Sequence, residues 1–343
     1  MAPFKSSLAR SAGKLLGVLK ERDLSLRGAT QSTRHFIPTI PIVASGGNVA
    51  DGVQPGNGYK YHVFTASGTL TISSGNQDME YLVVGGGGAG GNANVGCAGG
   101  GAGGLRSGTL AATGNPLTVT IGNGGDYPGN NGEHTIFGSI RSEGGGCGGN
   151  SPDPTVGLNG GSGGGSSQTE NTNKGLGNFE AGTSNAVPAQ GYPGGVAGTP
   201  GSNEAGGGGG GAGGAGGDGV NDGSGGDGGI GSAHPAYAAP LSAFNPMPSD
   251  WKTAVGPTGL YAGGGGGGII RSPGSEGAPG PGGGGRGGGT ASNLTPSPIV
   301  ATAGVDGTGG GGGGSAYSPT PDSGPGGNAV SYTHLTLPTT PYV

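Results

Sequence analysis

Unbroken glycine runs recur along the chain, at 206–211, 263–268 and 309–314, and an earlier one, 85–88, follows directly on an apolar stretch in "MEYLVVGGGGAGG" (79–91). Glycine loses more backbone freedom on ordering than any other residue, at about 1–2 kcal/mol per residue, and a run of it brings no side chain to bury. With 95 Gly and 26 Pro among 343 residues, the chain either leaves these runs as flexible connections or packs them backbone against backbone. Collagen packing is excluded, because it needs glycine at every third position and these glycines come in blocks. A second packing does suit blocks. In the extended left-handed polyproline-II geometry the rise is about 3.1 Å per residue with three residues per turn, so six glycines make a rod of about 19 Å. Every N–H and C=O then points outward, and parallel rods can bond on all sides if no Cβ intervenes, with Cα–H···O contacts adding a weaker attraction. The linker and the rod both remain open on these grounds.

Only 10% of the residues are charged and 5% aromatic, which fits neither a charged disordered linker nor an ordinary globular enzyme. The formal charge of −5 is uneven. Residues 1–35 carry Lys5, Arg10, Lys14, Lys20, Arg22, Arg27 and Arg34 against Glu21 and Asp23. A basic head can point to nucleic acid or an acidic membrane surface, but one short cluster without interleaved aromatics reads more simply as a solvated helix face. No run approaches the roughly 18–20 apolar residues of a membrane span, and "KLLGVL" is too short for a secretory signal. Cys97 and Cys147 each lie in a glycine block, as two free thiols or as a single bridge.

Residues 1–35 are expected to form an attachment segment with a helix over 4–22. There Leu8, Ala12, Leu15, Leu16 and Leu19 share one face of a 3.6-residue period and would pack on a partner or a second copy. Residues 36–58 read as a Pro- and Gly-punctuated linker. From 59 the period becomes two. "YKYHVF", "TLTIS", "EYLVV", "LTVTI" (117–121) and "HTIFGSI" (134–140) are strand patterns separated by turn-like segments, giving a small β-rich unit over 59–142 with a glycine insertion at 85–104. From 143 to 328 glycine blocks alternate with polar, Pro-containing segments. The expected fold is mainly β with a glycine-rich layer and little helix.

The series "YKYHVFTASGTLTI", "EYLVVGGGGAGG", "HTIFGSIRSEGGGCGG" and "LYAGGGGGG" resembles, in this order, the glycine-rich domain of bacteriophage tail-fibre and other virion structural proteins, over about residues 59–328. The resemblance implies a polyglycine-II-type adhesin: a sandwich of glycine rods whose end loops touch the host surface. It implies a virion location, a tail or capsid partner at the N-terminal segment, and a glycan or outer-membrane protein as receptor. That family closes with a last strand of the type "GIVIIRY". Here "VSYTHLTLPT" (330–339) stands instead, and is what GTC TCT TAT ACA CAT CTG ACG CTG CCG ACG encodes. It resembles a sequencing-library adapter translated in frame. We therefore set 330–343 outside the fold as non-native, leaving the closing strand missing and Tyr332 and His334 without meaning.

Catalytic motifs are absent or accidental. G-x-S-x-G at 160–164, around Ser162, lacks the strand-to-helix context of a nucleophile elbow, and no Lys followed by Ser or Thr completes a phosphate loop. "GGDGVNDGS" (216–224) approaches a calcium β-roll repeat, but Asn221 replaces the needed Asp and Gly223 the apolar residue. His35, His62, His134, His234 and His334 have no metal-ligand spacing. Neither cofactor nor metal is expected. The distinctive segment is 233–261, with the only Trp, Trp251, and Tyr237, Phe244 and Met247. On a Pro-fixed loop these side chains are candidate receptor contacts, offering large area at low entropic cost. Alternatively they form a satellite cluster packed on the glycine layer, as expected for Tyr261. The expected protein is a non-enzymatic virion component contacting a host through loops, with possible self-association and neither specific nucleic acid nor membrane insertion. An ice-binding bundle and a disordered elastic matrix protein are the alternatives.

Overall fold

The computed structural model describes residues 40–92, 97–126, 129–150, 156–167, 173–198, 205–220, 223–237, 247–270, 274–289, 299–316 and 323–336. The expected N-terminal helix, with Leu8, Leu15, Leu16 and Leu19, and the side chain of Phe244 lie outside these residues. The protein is mostly β with very little helix.

The period-two alternation from 59 to 84 sets up the framework. Strands β1 (Val43–Ser45), β2 (Tyr59–Phe64), β3 (Gly68–Ser74), β4 (Asp78–Val84), β5 (Leu105–Ala111), β6 (Leu117–Thr120), β7 (Thr135–Phe137) and β8 (Ile140–Ser142) precede a two-strand ribbon, β9 (Ser232–Ala233) with β10 (Leu260–Tyr261). Helix α1 (Ser249–Val255) lies between the ribbon strands in sequence, and β11 (Val330–Thr336) comes last. One antiparallel sheet runs β2-β11-β4-β5 and another β1-β3-β6-β7-β8. Because side chains alternate along a strand, β2 and β4 feed two cores. Phe64, Tyr81 and Val83 meet Leu70, Ile72, Val119 and Phe137 of the second sheet. Tyr61, Val63, Leu82 and Val84 point the other way, toward Tyr237, Met247, Trp251, Val255 and Tyr261.

Several expectations need correction. The run 134–140 is a hairpin rather than one strand, turning at Gly138 in the left-handed region (φ 58°). Part of the supposed linker is built into the fold: β1 pairs with β3, and Val53 bridges Tyr61. The closing strand is not missing. Residues 330–336 lie between β2 and β4, with Tyr332 opposite Val63 and Leu82 and fully buried. Two facing strand edges present rows of backbone donors and acceptors that any extended segment can satisfy, and V-S-Y-T-H-L-T supplies the β-branched and aromatic residues that fit such a slot. The fit is imperfect. On the face toward the second sheet, the buried hydroxyls Ser331 Oγ and Thr333 Oγ1 have no partner.

The glycine runs are neither strand nor free linker. Residues 85–91 are buried and donate in strict rotation. Gly85, Gly88 and Gly91 bond the carbonyls of Gly104, Gly101 and Ala98; Gly86 and Ala89 those of Glu133 and Asn130; Gly87 and Gly90 those of Gly327 and Gly324. Residues 206–211 repeat the pattern. Gly206 and Gly209 donate to Gly268 and Gly265, Gly207 and Gly210 to Ser166 and Gly163, and Gly208 and Gly211 to Gly217 and Gly214. Each run therefore addresses a new neighbour at each residue and returns after three. Packing is close enough to forbid side chains: a Cβ on Gly265 would lie 2.0 Å from the Gly312 carbonyl oxygen and one on Gly209 1.9 Å from that of Gly100. Where a run meets the apolar core, side chains return, as at Ala102 and Ala262.

Two predictions follow from these geometries. Gly265→Ala lowers stability by about 3 kcal/mol through overpacking, whereas Gly289→Ala, whose added Cβ meets nothing closer than 3.7 Å, leaves the urea midpoint nearly unchanged. Thr333→Val removes a buried unpaired hydroxyl and raises stability by about 1 kcal/mol, read in the same urea titration.

Candidate contact surface

Of the segment 233–261, Tyr237, Met247, Trp251, Val255 and Tyr261 are buried. Pro235–Tyr237 makes one 3-10 turn and α1 follows, preceded by Pro248. Pro248 fixes the backbone just before the first helical turn, and Trp251 and Val255, four residues apart, share the buried face. Trp251 is 1% exposed and donates its indole Nε1–H to the Gly307 carbonyl at 3.1 Å. Its ring lies 6.3 Å from Tyr261 and 6.5 Å from Tyr332, and Tyr261 and Tyr332 are 5.5 Å apart, edge to face. Tyr261 Oη donates to the Tyr237 carbonyl and Tyr61 Oη to that of Ala236, each at 3.1 Å. The three described receptor-contact candidates, Tyr237, Met247 and Trp251, are thus core residues with no face to offer a partner. Burial is what large aromatic area gains most from, and the sheet face beneath them was otherwise uncovered.

Ionisable groups are used structurally. His62 is buried opposite Thr333, its Nδ1 donating to the Gly46 carbonyl at 2.8 Å, and burial pushes its pKa down. Burial does the same to His234. Glu143 is buried beside Arg141 at 2.9 Å; burial raises its pKa, and the guanidinium opposes that rise. Cys97 and Cys147 are free and buried, and burial pushes the Cys147 thiol up to about 12, which keeps it protonated and unreactive. Ser162 is fully buried within a glycine run. Asp218 and Asp227, near the calcium-like stretch, accept backbone N–H bonds from Val196 and Ala278. Among the described residues no group of His, Cys, Asp and Glu could hold a metal ion, and no helix is long and apolar enough to cross a membrane.

The surface offers different residues. Leu176 (45% exposed) and Tyr192 (47%) lie on neighbouring segments: their carbonyls accept bonds from Gly160 and Gly163 of one run. Val220 is 58% exposed, and its N–H donates to the Ser224 carbonyl. Sequence reasoning passed over all three, since single apolar residues in glycine-polar stretches give neither periodicity nor clustering. The only signal available was position, between glycine blocks.

This architecture, β sheets continued by a mass of glycine backbone, defines a glycine-rich structural module. A model of the glycine-rich domain family matches residues 64–332, and the chain belongs to that family. No curated protein matches it.

Trp251→Ala is expected to cost about 3–5 kcal/mol, seen as a lowered urea midpoint; a surface aromatic would cost almost nothing. Acid should also weaken the fold. Because the His62 pKa is lower folded than unfolded, its contribution is present above the ordinary value of 6.5 and is lost as pH falls through the folded value. The urea midpoint should drop between about pH 7 and pH 5. His62→Asn keeps a donor for Gly46 and should reduce the drop without abolishing it, because His234 titrates in the same sense.

Proposed function

We propose that this protein is a non-enzymatic structural component of a bacteriophage virion, of the tail-fibre or adhesin kind, in which a polyglycine-II layer holds exposed loops against a host surface. The observation that carries the reading is the three-residue rotation of hydrogen-bond donors in runs 85–91 and 206–211. A left-handed helix with three residues per turn repeats its outward directions every third residue, and it turns an otherwise floppy composition into a stiff scaffold. The order of strand and glycine motifs supports the phage setting.

In this reading the contact residues are Leu176, Tyr192 and Val220. Individual contacts of this size are weak, and many copies on one particle would sum them. The residues buried around α1 maintain the scaffold. Attachment through the N-terminal segment to a tail or capsid protein belongs to the same proposal.

The test is adsorption of labelled protein to bacterial outer-membrane vesicles and to a panel of surface glycans. Saturable binding that falls about tenfold in Leu176→Ser/Tyr192→Ser, with an unchanged amide spectrum, supports the reading. Binding unaffected by that pair removes the patch from it. Thermal hysteresis in the same preparation, without adsorption, would replace it by ice binding.

A further inference from the structure

The glycine runs differ in how many neighbours they keep. A segment whose outward directions repeat every third residue has three directions for its N–H groups and three for its carbonyls, and so can bond six neighbours. Run 206–211 uses all of them. Its amides reach 265–268, 163–166 and 214–217. Its carbonyls accept from Gly226 and Gly229, from Gly99 and Ala102, and from Tyr192 and Gly195. Every residue in it is a buried glycine.

Run 223–231 keeps fewer. Gly225, Gly228 and Gly231 donate to Ser275, Ala278 and Pro281, and Gly226 and Gly229 to Gly206 and Gly209. The carbonyls of Ser224, Asp227 and Ile230 accept from Val220, Gly217 and Gly213, and those of Gly226 and Gly229 from Gly267 and Gly264. Among the described residues no backbone bond takes the N–H of Ser224, Asp227 or Ile230, or the carbonyl of Gly225 or Gly228. The residues whose amides reach another run are all glycine. A Cβ on Gly226 would lie 2.0 Å from the Gly217 carbonyl oxygen, and one on Gly228 2.0 Å from that of Gly264. The non-glycine residues, Ser224, Asp227 and Ile230, fall at every third place, where the N–H is open. Asp227 is exposed and Ile230 is 48% exposed. Two of these side chains lie across the adjoining run 274–281: Ser224 Oγ is 2.8 Å from Ser275 Oγ, and Asp227 Oδ1 accepts the Ala278 N–H at 2.8 Å.

We propose that Ser224, Asp227 and Ile230 close the glycine layer on this side, keeping run 223–231 from bonding the same run of a second copy of this chain. A row of unpaired amides and carbonyls is a template for a further chain. Here the open groups are complementary to themselves, since the amides of one copy would meet the carbonyls of the other in an isologous contact. Bonding between runs needs bare backbone on both sides, as at Gly209 against Gly100 and Gly265 against Gly312. One Cβ at each third residue is therefore enough to prevent it, whatever the rest of the side chain is.

The experiment compares the full chain with two triple variants, Ser224→Gly/Asp227→Gly/Ile230→Gly and Ser224→Ala/Asp227→Ala/Ile230→Ala, by sedimentation and amide hydrogen exchange over one concentration series. In the parent, the amides of Ser224, Asp227 and Ile230 should exchange about tenfold faster than those of Gly225, Gly226, Gly228 and Gly229, or more. The glycine variant should sediment as a larger species than the parent, its three substituted amides slowing about tenfold as concentration rises. The alanine variant loses the same charge and apolar surface but keeps each Cβ, and should sediment like the parent. Should the glycine variant lose the native amide spectrum, Ile230→Gly takes its place, because it removes the one side chain of the three that cannot hydrogen-bond. Its amide at 230 should then slow with concentration. A parent whose three amides are as protected as their neighbours overturns the proposal before any variant is made. So does a folded glycine variant that sediments with the parent, an Ile230→Gly amide that ignores concentration, or an alanine variant that associates as strongly as the glycine one.

Discussion

The structure depends on backbone hydrogen bonds between glycine runs that approach too closely for a Cβ. Each bond contributes about 0.5–1.5 kcal/mol net, against about 1–2 kcal/mol to fix the residue that makes it. A layer held only by such bonds is near balance or short of it, and it buries almost no apolar area to close the gap. The β framework therefore does more than precede the glycine. Leu82 and Val84 continue directly into 85–91, Tyr261 and Ala262 into 263–268, and 324–327 leads into β11, so the runs begin or end at side chains buried in one apolar cluster. Anchoring at the ends fixes rod position and leaves only rotation and register for the bonds to select.

This arrangement explains what the sequence made legible and what it did not. The strands at 59–64, 68–74, 78–84 and 117–120 were readable because alternation leaves a two-residue period. That glycine blocks can pack as rods was readable from sterics, but which block neighbours which was not, since glycine carries no label. Partners such as Gly100 and Gly312, or Gly209 and Gly265, are set by the lengths of intervening segments and by the anchored ends. The strand β5 was overlooked because "LRSGTLA" has one large apolar residue at each end and a glycine in the middle. It is a strand through pairing with β4, a tertiary effect that outweighs its modest propensity.

The aromatic segment shows the other limit. Trp251, Tyr237 and Met247 were the most conspicuous side chains in a glycine-rich stretch, and conspicuous aromatics on a proline-rich loop suit recognition and burial alike. Burial wins here for an area reason. The face of β2, β11 and β4 formed by Tyr61, Val63, Leu82 and Tyr332 needs a cover, and glycine rods cannot supply one. The helix α1 and the turn at Pro235–Tyr237 are the nearest dense source of apolar surface, and the indole is held in place by its bond to Gly307. The apolar side chains left exposed stand instead at isolated positions such as Tyr192, which no pattern distinguishes from spacer.

The closing strand illustrates how far backbone complementarity can act without side-chain fit. β11 completes both ladders from Ser331 through His334, with the carbonyls and amides of β2 and β4 paired on either side. Its apolar face is well matched, Val330 and Tyr332 joining the aromatic cluster. Its other face sets Ser331 and Thr333 among Phe64, Tyr81 and Val83, where two hydroxyls are buried unpaired. A slot flanked by two fixed edges thus takes an extended segment first for its backbone and only second for its chemistry. The same ordering governs the glycine layer, where backbone geometry makes the bonds and the anchored ends and intervening lengths choose the partners, so segments between the rods can change in sequence more freely than in length.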